Sequence, residues 1–192
     1  MNFGQIYYAD IANGPGARTS FFVSGCRHHC KGCFNAETWD FSYGHPYTKA
    51  IEDELVDSVK PEYIDGLTIL GGEPMEPENQ PEIRKLVERI RREVPHSKTW
   101  IYSGYTWEEL HDPNKVCRTS DTDAILSNID VIVDGEFHEE EKDISLNFRG
   151  SKNQRIIRVP ESLASGQIVL SEYNNEGGMT SKESGLENRD ES

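Results

Sequence analysis

Apolar runs of strand length, separated by stretches of helix length, constrain this chain more than any other feature. The runs are Phe21-Phe22-Val23, Leu67-Thr68-Ile69-Leu70, Thr99-Trp100-Ile101-Tyr102-Ser103 and Val131-Ile132-Val133. Between the first two, Thr48 can cap a helix in which Ile51, Leu55 and Val59 recur every four residues, until Pro61 ends it. Pro81 suits the first turn of a second helix, with Ile83, Leu86, Val87, Ile90 and Val94 forming one buried stripe. The Lys, Arg and Glu between them are a solvated face. Thr106 and Glu109 make a capping box for a third helix, and residues 124 to 129 add one or two helical turns after a polar loop. Such alternation predicts an α/β fold with a mostly parallel sheet and right-handed crossovers, because parallel neighbours need long connections.

Two further strands are predicted at residues 3 to 8 and 154 to 159. The turn Asn13-Gly14-Pro15-Gly16 joins the first of these to the strand at 18 to 23. The chain has 192 residues, enough for one ordinary domain but short of the roughly 250 typical of a complete eight-fold βα barrel. From residue 165 onward Ser, Gly, Asn and Glu predominate, with Ile168-Val169-Leu170 as an apolar island. The expected organisation is a domain over 1 to 164 and an acidic tail over 165 to 192, disordered from 171 because it lacks apolar surface to bury.

Three of the four cysteines, Cys26, Cys30 and Cys33, fall within eight residues directly after Phe21-Phe22-Val23. Their thiols are therefore presented on a loop at the end of a strand. Three closely spaced thiolates can hold an iron–sulfur cubane by three of its irons, leaving one iron open to another ligand. Acidic residues outnumber basic ones 34 to 20, for a formal charge of −14, and no Lys/Arg block exists to neutralise a phosphate backbone. Nucleic acid is not an expected partner. No basic region with an apolar core opens the chain and no run of about 18 apolar residues occurs, so no membrane association and a cytoplasmic location are expected. In a reducing compartment clustered cysteines serve metal or redox chemistry rather than structural disulfides.

Sites in parallel α/β sheets form beyond the carboxyl ends of the strands. Those ends carry, in order, the cysteine loop, Gly71-Gly72-Glu73-Pro74, Ser103-Gly104 and Asp134-Gly135-Glu136, with the loop 149 to 153 as a further contributor. The glycines let a ligand approach the backbone closely, and Glu73 can accept a hydrogen bond from a ligand ammonium.

The spacing of Cys26, Cys30 and Cys33, with Gly71-Gly72-Glu73-Pro74 after the next strand, resembles the radical S-adenosylmethionine superfamily. More narrowly, several segments resemble the activating proteins of anaerobic ribonucleoside-triphosphate reductase. They are Asn13-Gly14-Pro15-Gly16, Asn35 with Thr38-Trp39, Ser103-Gly104-Tyr105, Val133-Asp134-Gly135 with Phe137, and Phe148-Arg149-Gly150-Ser151 with Asn153-Gln154-Arg155. The aromatic Phe34 stands after the third cysteine, and Gly32 before it, where the wider superfamily often has an aromatic residue.

The resemblance implies an incomplete βα barrel and an oxidoreductase. It implies a [4Fe-4S] cluster on Cys26, Cys30 and Cys33, whose open iron takes the amino and carboxylate groups of S-adenosylmethionine. Gly71, Gly72 and Glu73 would hold the methionine end and the backbone of Gly32, Cys33 and Phe34 the adenine, with Ser103 and Asp134 as further contacts. A 5′-deoxyadenosyl radical would then take hydrogen from a glycine of the large catalytic subunit of the reductase, entering through the gap in the barrel. An electron donor such as a flavodoxin is implied as well. The loop 35 to 46, with Trp39, Phe41 and Tyr43, is expected to help shield the site.

The residue types also admit other readings. His28 or His29 could complete a structural zinc site, and Cys117 could be the fourth ligand of a non-catalytic iron–sulfur protein. The chemistry could instead serve another glycyl radical enzyme or a small molecule. Read from the residues, His28, His29 and Lys31 are solvated loop positions, Cys117 is a free surface thiol, and Trp39, Trp100 and Trp107 are packing residues. Arg149 and Lys152 could meet a cofactor carboxylate or a partner protein.

Overall fold

The computed structural model describes residues 1 to 177. Among them are seven strands: β1 Asn2–Asp10, β2 Arg18–Val23, β3 His45–Pro46, β4 Gly66–Gly71, β5 Lys98–Ser103, β6 Val131–Asp134 and β7 Arg155–Arg158. They form one sheet in the order β3-β1-β2-β4-β5-β6-β7. The four central strands β2, β4, β5 and β6 are parallel. β1, β3 and β7 add antiparallel pairings at the two margins. The sheet remains open between β3 and β7, so the architecture is that of a partial barrel.

The crossovers are α1 Lys49–Ser58, α2 Gln80–Glu93, and the short pair α3 Trp107–His111 and α4 Thr122–Leu126. Local signals set their starts. Thr48 accepts from the Ile51 amide, Pro81 lies in the first turn of α2, and Thr106 with Glu109 closes the capping box on α3. Leu55 and Val56 of α1 and Ile83, Leu86, Val87 and Ile90 of α2 are buried in the larger core. The charged face of α2 ties the two helices together, Arg89 Nη1 donating to Glu52 at 2.7 Å and Asp53 at 2.5 Å.

Alternate strand residues divide between the two faces of the sheet, as the two-residue period of a strand requires. Ile101, Ile132 and Ile157 join the helix-side core. Trp100, Val133 and Ile156 form a second cluster on the other face with Tyr102, Phe148 and Tyr173. Arg18 closes the base of that inner face. Its fully buried guanidinium lies 5.4 Å from the Trp100 ring and donates to Thr68 Oγ1 at 2.7 Å and to the carbonyl of Leu67 at 3.0 Å. Burial lowers its pKa to about 10.

The structure departs from expectation at the carboxyl end. β7 is followed by a fifth helix, α5 Val159–Ser165, closed by Gly166 in the left-handed conformation. Of the residues from 171 on that are expected to be disordered, 171 to 174 pack on the sheet and Asn175 on the loop before β7. Leu170 bridges to Ile157, and the Ser171 amide donates to the Ile156 carbonyl at 2.8 Å. The Tyr173 ring sits 5.3 Å from Phe148 and 6.1 Å from Trp100. One aromatic anchor and a pairing asparagine, Asn174, supply the burial and hydrogen bonds that composition alone does not reveal. The expectation for 178 to 192 lies outside the described residues. No described helix is long and apolar enough to cross a membrane.

Candidate iron–sulfur and cofactor site

The carboxyl ends of the parallel strands open into a cavity of about 500 Å³. β2 contributes Phe22, β4 Leu70 and Gly71, and β5 Tyr102 and Ser103. Cys26, Cys30, Cys33 and Phe34 of the cysteine loop line the same cavity with Gly72, Glu73, Gly104 and Gly135. The rim anticipated from the strand ends is therefore one concave surface. Phe137, Phe148, Arg149 and Gln154 wall its far side.

Main-chain hydrogen bonds stitch the cysteine loop to the glycine turn. The Gly72 amide donates to the Val23 carbonyl and the Glu73 amide to the Gly25 carbonyl, both at 2.8 Å. The Gly25 and Cys26 amides donate in turn to Thr38 and Trp39 of the short 3-10 turn Ala36–Trp39, at 2.7 and 3.1 Å. Packing this close leaves no room for side chains. A Cβ on Gly72 would lie 2.7 Å from the Gly25 carbonyl oxygen, and Gly71 holds φ +106. The double glycine thus serves the fold as well as access to the cavity.

Glu73 is 1% exposed, and its carboxylate has four partners. Oε1 accepts from the Met75 amide at 2.7 Å and the Ser103 hydroxyl at 2.9 Å. Oε2 accepts from the Gly104 amide at 2.6 Å and faces His28 Nε2 at 3.0 Å. His28 is not the solvated residue expected from the sequence. Its ring is buried against Tyr105, with Nδ1 2.8 Å from Glu136 Oε1. Burial pulls its pKa down, but the hydrogen bonds and charges of Glu73 and Glu136 outweigh that and lift it to about 9. His29 stacks on Trp39, and Lys31 is solvated as expected, paired with Glu139.

All four cysteines are free thiols. Burial, reinforced by the Glu73 charge, pushes the Cys26 thiol up to about 12, although the His28 and His29 amides oppose it. Burial likewise raises Cys30, opposed by the Phe137 amide, and the Asn35 amide donates to Cys33 Sγ at 3.4 Å. Such thiols become thiolates when a cationic centre sits beside them. Three on one loop facing one cavity fit an iron–sulfur cluster, with backbone amides already aimed at sulfur. Among the described residues no three His, Cys, Asp or Glu converge as a single ion requires, and both nitrogens of His28 are engaged with Glu73 and Glu136.

Ser103 reaches the cavity but spends its hydroxyl on Glu73. Gly32 shapes the loop at φ +74 and is not part of the cavity wall. Asp134 does not line it either, because its carboxylate accepts from the Trp107 amide at 2.7 Å and from Arg155 Nη2 at 2.5 Å. Cys117 is fully buried in the helix-side core and hydrogen-bonded to the Glu109 carbonyl, where burial lifts its pKa to about 11. It is neither a surface thiol nor part of the cavity wall. Arg149 lines the cavity and donates to the carbonyls of Gln154 and Asn175, while its buried Nε has no protein partner.

Residues 12–157 match the family model described as a 4Fe-4S single cluster domain. The chain is 44% identical over 160 residues to the anaerobic ribonucleoside-triphosphate reductase-activating protein of Vibrio cholerae, covering 82% of this chain and 98% of the relative. It is 43% identical over 156 residues to the protein of that name from Escherichia coli K12, covering 80% and 96%. The corresponding protein of Enterobacteria phage T4 is 36% identical over 156 residues, covering 81% and 93%. Cluster-loop cysteines, glycine turn and open sheet thus sit in a chain whose sequence aligns with these proteins over nearly their whole length. The chain belongs to the family of anaerobic ribonucleoside-triphosphate reductase-activating proteins.

Proposed function

We propose that this protein is a radical S-adenosylmethionine enzyme that installs a glycyl radical on the large subunit of anaerobic ribonucleoside-triphosphate reductase. The observation that carries the reading is the shared cavity of Cys26, Cys30 and Cys33 with the Gly71 to Glu73 turn. Thiol ligands and an amino-acid cradle are needed within one enclosure, and few other chemistries call for both. Cys26, Cys30 and Cys33 would ligate a [4Fe-4S] cluster, and the backbone of Gly71 and Gly72 would meet the methionine arm of the cofactor. Bound together, cluster and cofactor would supply radical chemistry able to remove a hydrogen atom from a glycine Cα, given an electron from a donor such as a flavodoxin.

The chain's own residues position and shield. Burial of Cys26 and the backbone amides around the thiols set the polarity of the cluster environment. Arg149 lines the cavity and brings a guanidinium charge to its wall, of the kind that pairs with a carboxylate. Phe34, 66% exposed and 5.4 Å from Phe137, offers aromatic surface at the mouth for adenine or for an entering protein segment. Trp39 lies on the wall, so the turn after the cysteine loop helps exclude water. The open edge of the sheet suits a protein substrate, and a reducing cytoplasm would keep the thiols available.

Reconstitution with iron and sulfide under anaerobic conditions, followed by reductant and S-adenosylmethionine, tests this chemistry. The reading expects about four irons per chain and release of methionine with 5′-deoxyadenosine, as a cubane held by three thiolates would give. Zinc in place of iron, or an iron-loaded protein that leaves the cofactor intact, would refute it.

A further inference from the structure

The four partners of Glu73 differ in how easily they can leave. The Met75 and Gly104 amides are main chain and move only if the strand ends move. The Ser103 hydroxyl sits on a short buried side chain and also accepts from the Tyr105 amide at 3.1 Å. His28 alone reaches Glu73 from a separate loop, by the longest of the four contacts, 3.0 Å. Its ring lines the cavity, and its other nitrogen is held by Glu136, whose side chain is 49% exposed and free to follow a swing.

With all four in place, each Glu73 oxygen already accepts two hydrogen bonds and has no room for a ligand donor. We propose that His28 is the exchangeable partner of Glu73, occupying in the empty cavity the position that the α-ammonium group of an amino-acid-bearing cofactor takes on binding. The inference rests on the reading that the cavity binds S-adenosylmethionine. His28 keeps a buried carboxylate paired while the site is empty, and withdraws toward Glu136 when the amine enters. It is thereby a positioning residue that competes with the ligand amine for Glu73.

Two different lesions test the exchange. His28→Ala removes the competitor. His28→Ser removes it as well, leaving a short side chain that ends far from Glu73, and the Gly104 amide stays in place in both variants. Both variants and the wild type are loaded with cluster, matched for iron content, and titrated anaerobically by calorimetry. One ligand is S-adenosylmethionine, the other 5′-methylthioadenosine, which lacks the amino-acid arm.

Removing a competing hydrogen bond to a charged group predicts about tenfold tighter binding of S-adenosylmethionine in both variants, with methylthioadenosine unchanged. A merely structural role for His28 would weaken binding instead. Unchanged or weaker S-adenosylmethionine binding in both variants overturns the exchange while the cofactor reading stands. A wild type that binds no S-adenosylmethionine overturns both together.

Discussion

The Glu73 amide donates to the Gly25 carbonyl across 2.8 Å, joining the glycine turn after β4 to the loop that carries the cysteines. Gly72 lies directly beneath that junction, its own amide on Val23. Cysteine loop and glycine turn are therefore one mechanical unit. Gly72→Ala would press a methyl group against the Gly25 carbonyl and shift both. It is expected to cost about 1–3 kcal/mol, a fall in Tm of roughly 2–4 °C per kcal/mol in a chain of this size. Iron retained per chain after reconstitution should fall with it. Full iron retention would mean that the turn yields without moving the loop.

Much of this arrangement is legible in the sequence because it is local. Thr48, Pro81 and the Thr106 to Glu109 box mark helix starts by chemistry confined to one turn, and apolar runs mark the central strands. Pro160 and Gly166 carried the same kind of signal for α5, a proline in the first turn and a glycine at the end, hidden beside a polar stretch. What the sequence conceals is pairing at a distance. His28 finds its partners 45 and 108 positions away, so nothing in its own neighbourhood distinguishes it from the solvated Lys31. Cys117 lies in a polar segment, yet its thiol turns inward beneath α3. Tyr173 depends on Trp100 and Phe148, contributed by β5 and the loop before β7.

Asp134 and Arg155 form an ion pair whose carboxylate is 1% exposed and whose guanidinium also reaches Glu108. Arg155→Ala leaves the buried charge with only the Trp107 amide and is expected to destabilise by about 3 kcal/mol. Glu108→Ala removes an exposed partner and should cost less than about 1 kcal/mol. Equal losses in denaturant unfolding would show that the buried half of the triad has no special weight. Since Asp134 lies off the cavity wall, Asp134→Asn should lower stability without changing cofactor affinity.

Cys117 should separate cleanly from the other three thiols. Cys117→Ser is expected to retain full cluster content, whereas alanine at Cys26, Cys30 or Cys33 abolishes it. In the cluster-loaded protein Cys117 is the remaining thiol, and its pKa of about 11 leaves little thiolate at neutral pH. Its alkylation by iodoacetamide should be slow and rise about tenfold per pH unit from pH 7 to 10, as the thiolate fraction grows. Rapid alkylation at pH 7 would mean that the thiol is exposed.

The segment after α5 anchors the cavity wall from outside. Tyr173 packs on Phe148, and Asn175 accepts from the Asn147 amide and donates to the Ser145 carbonyl. Tyr173 is partly buried, so Tyr173→Ala is expected to cost about 1–2 kcal/mol, below the range for losing a fully buried ring. Hydrogen exchange at residues 145 to 150 should accelerate with it. Unchanged protection there would separate the segment from the wall.

The central claim is radical transfer to a protein glycine. The direct measurement is electron paramagnetic resonance after anaerobic incubation of the cluster-loaded protein with reductant, S-adenosylmethionine and the large subunit of anaerobic ribonucleoside-triphosphate reductase. A glycyl radical signal that requires every component, and vanishes with Cys26→Ala, Cys30→Ala or Cys33→Ala, is the predicted result. Cleavage of S-adenosylmethionine without that signal would contradict the claim.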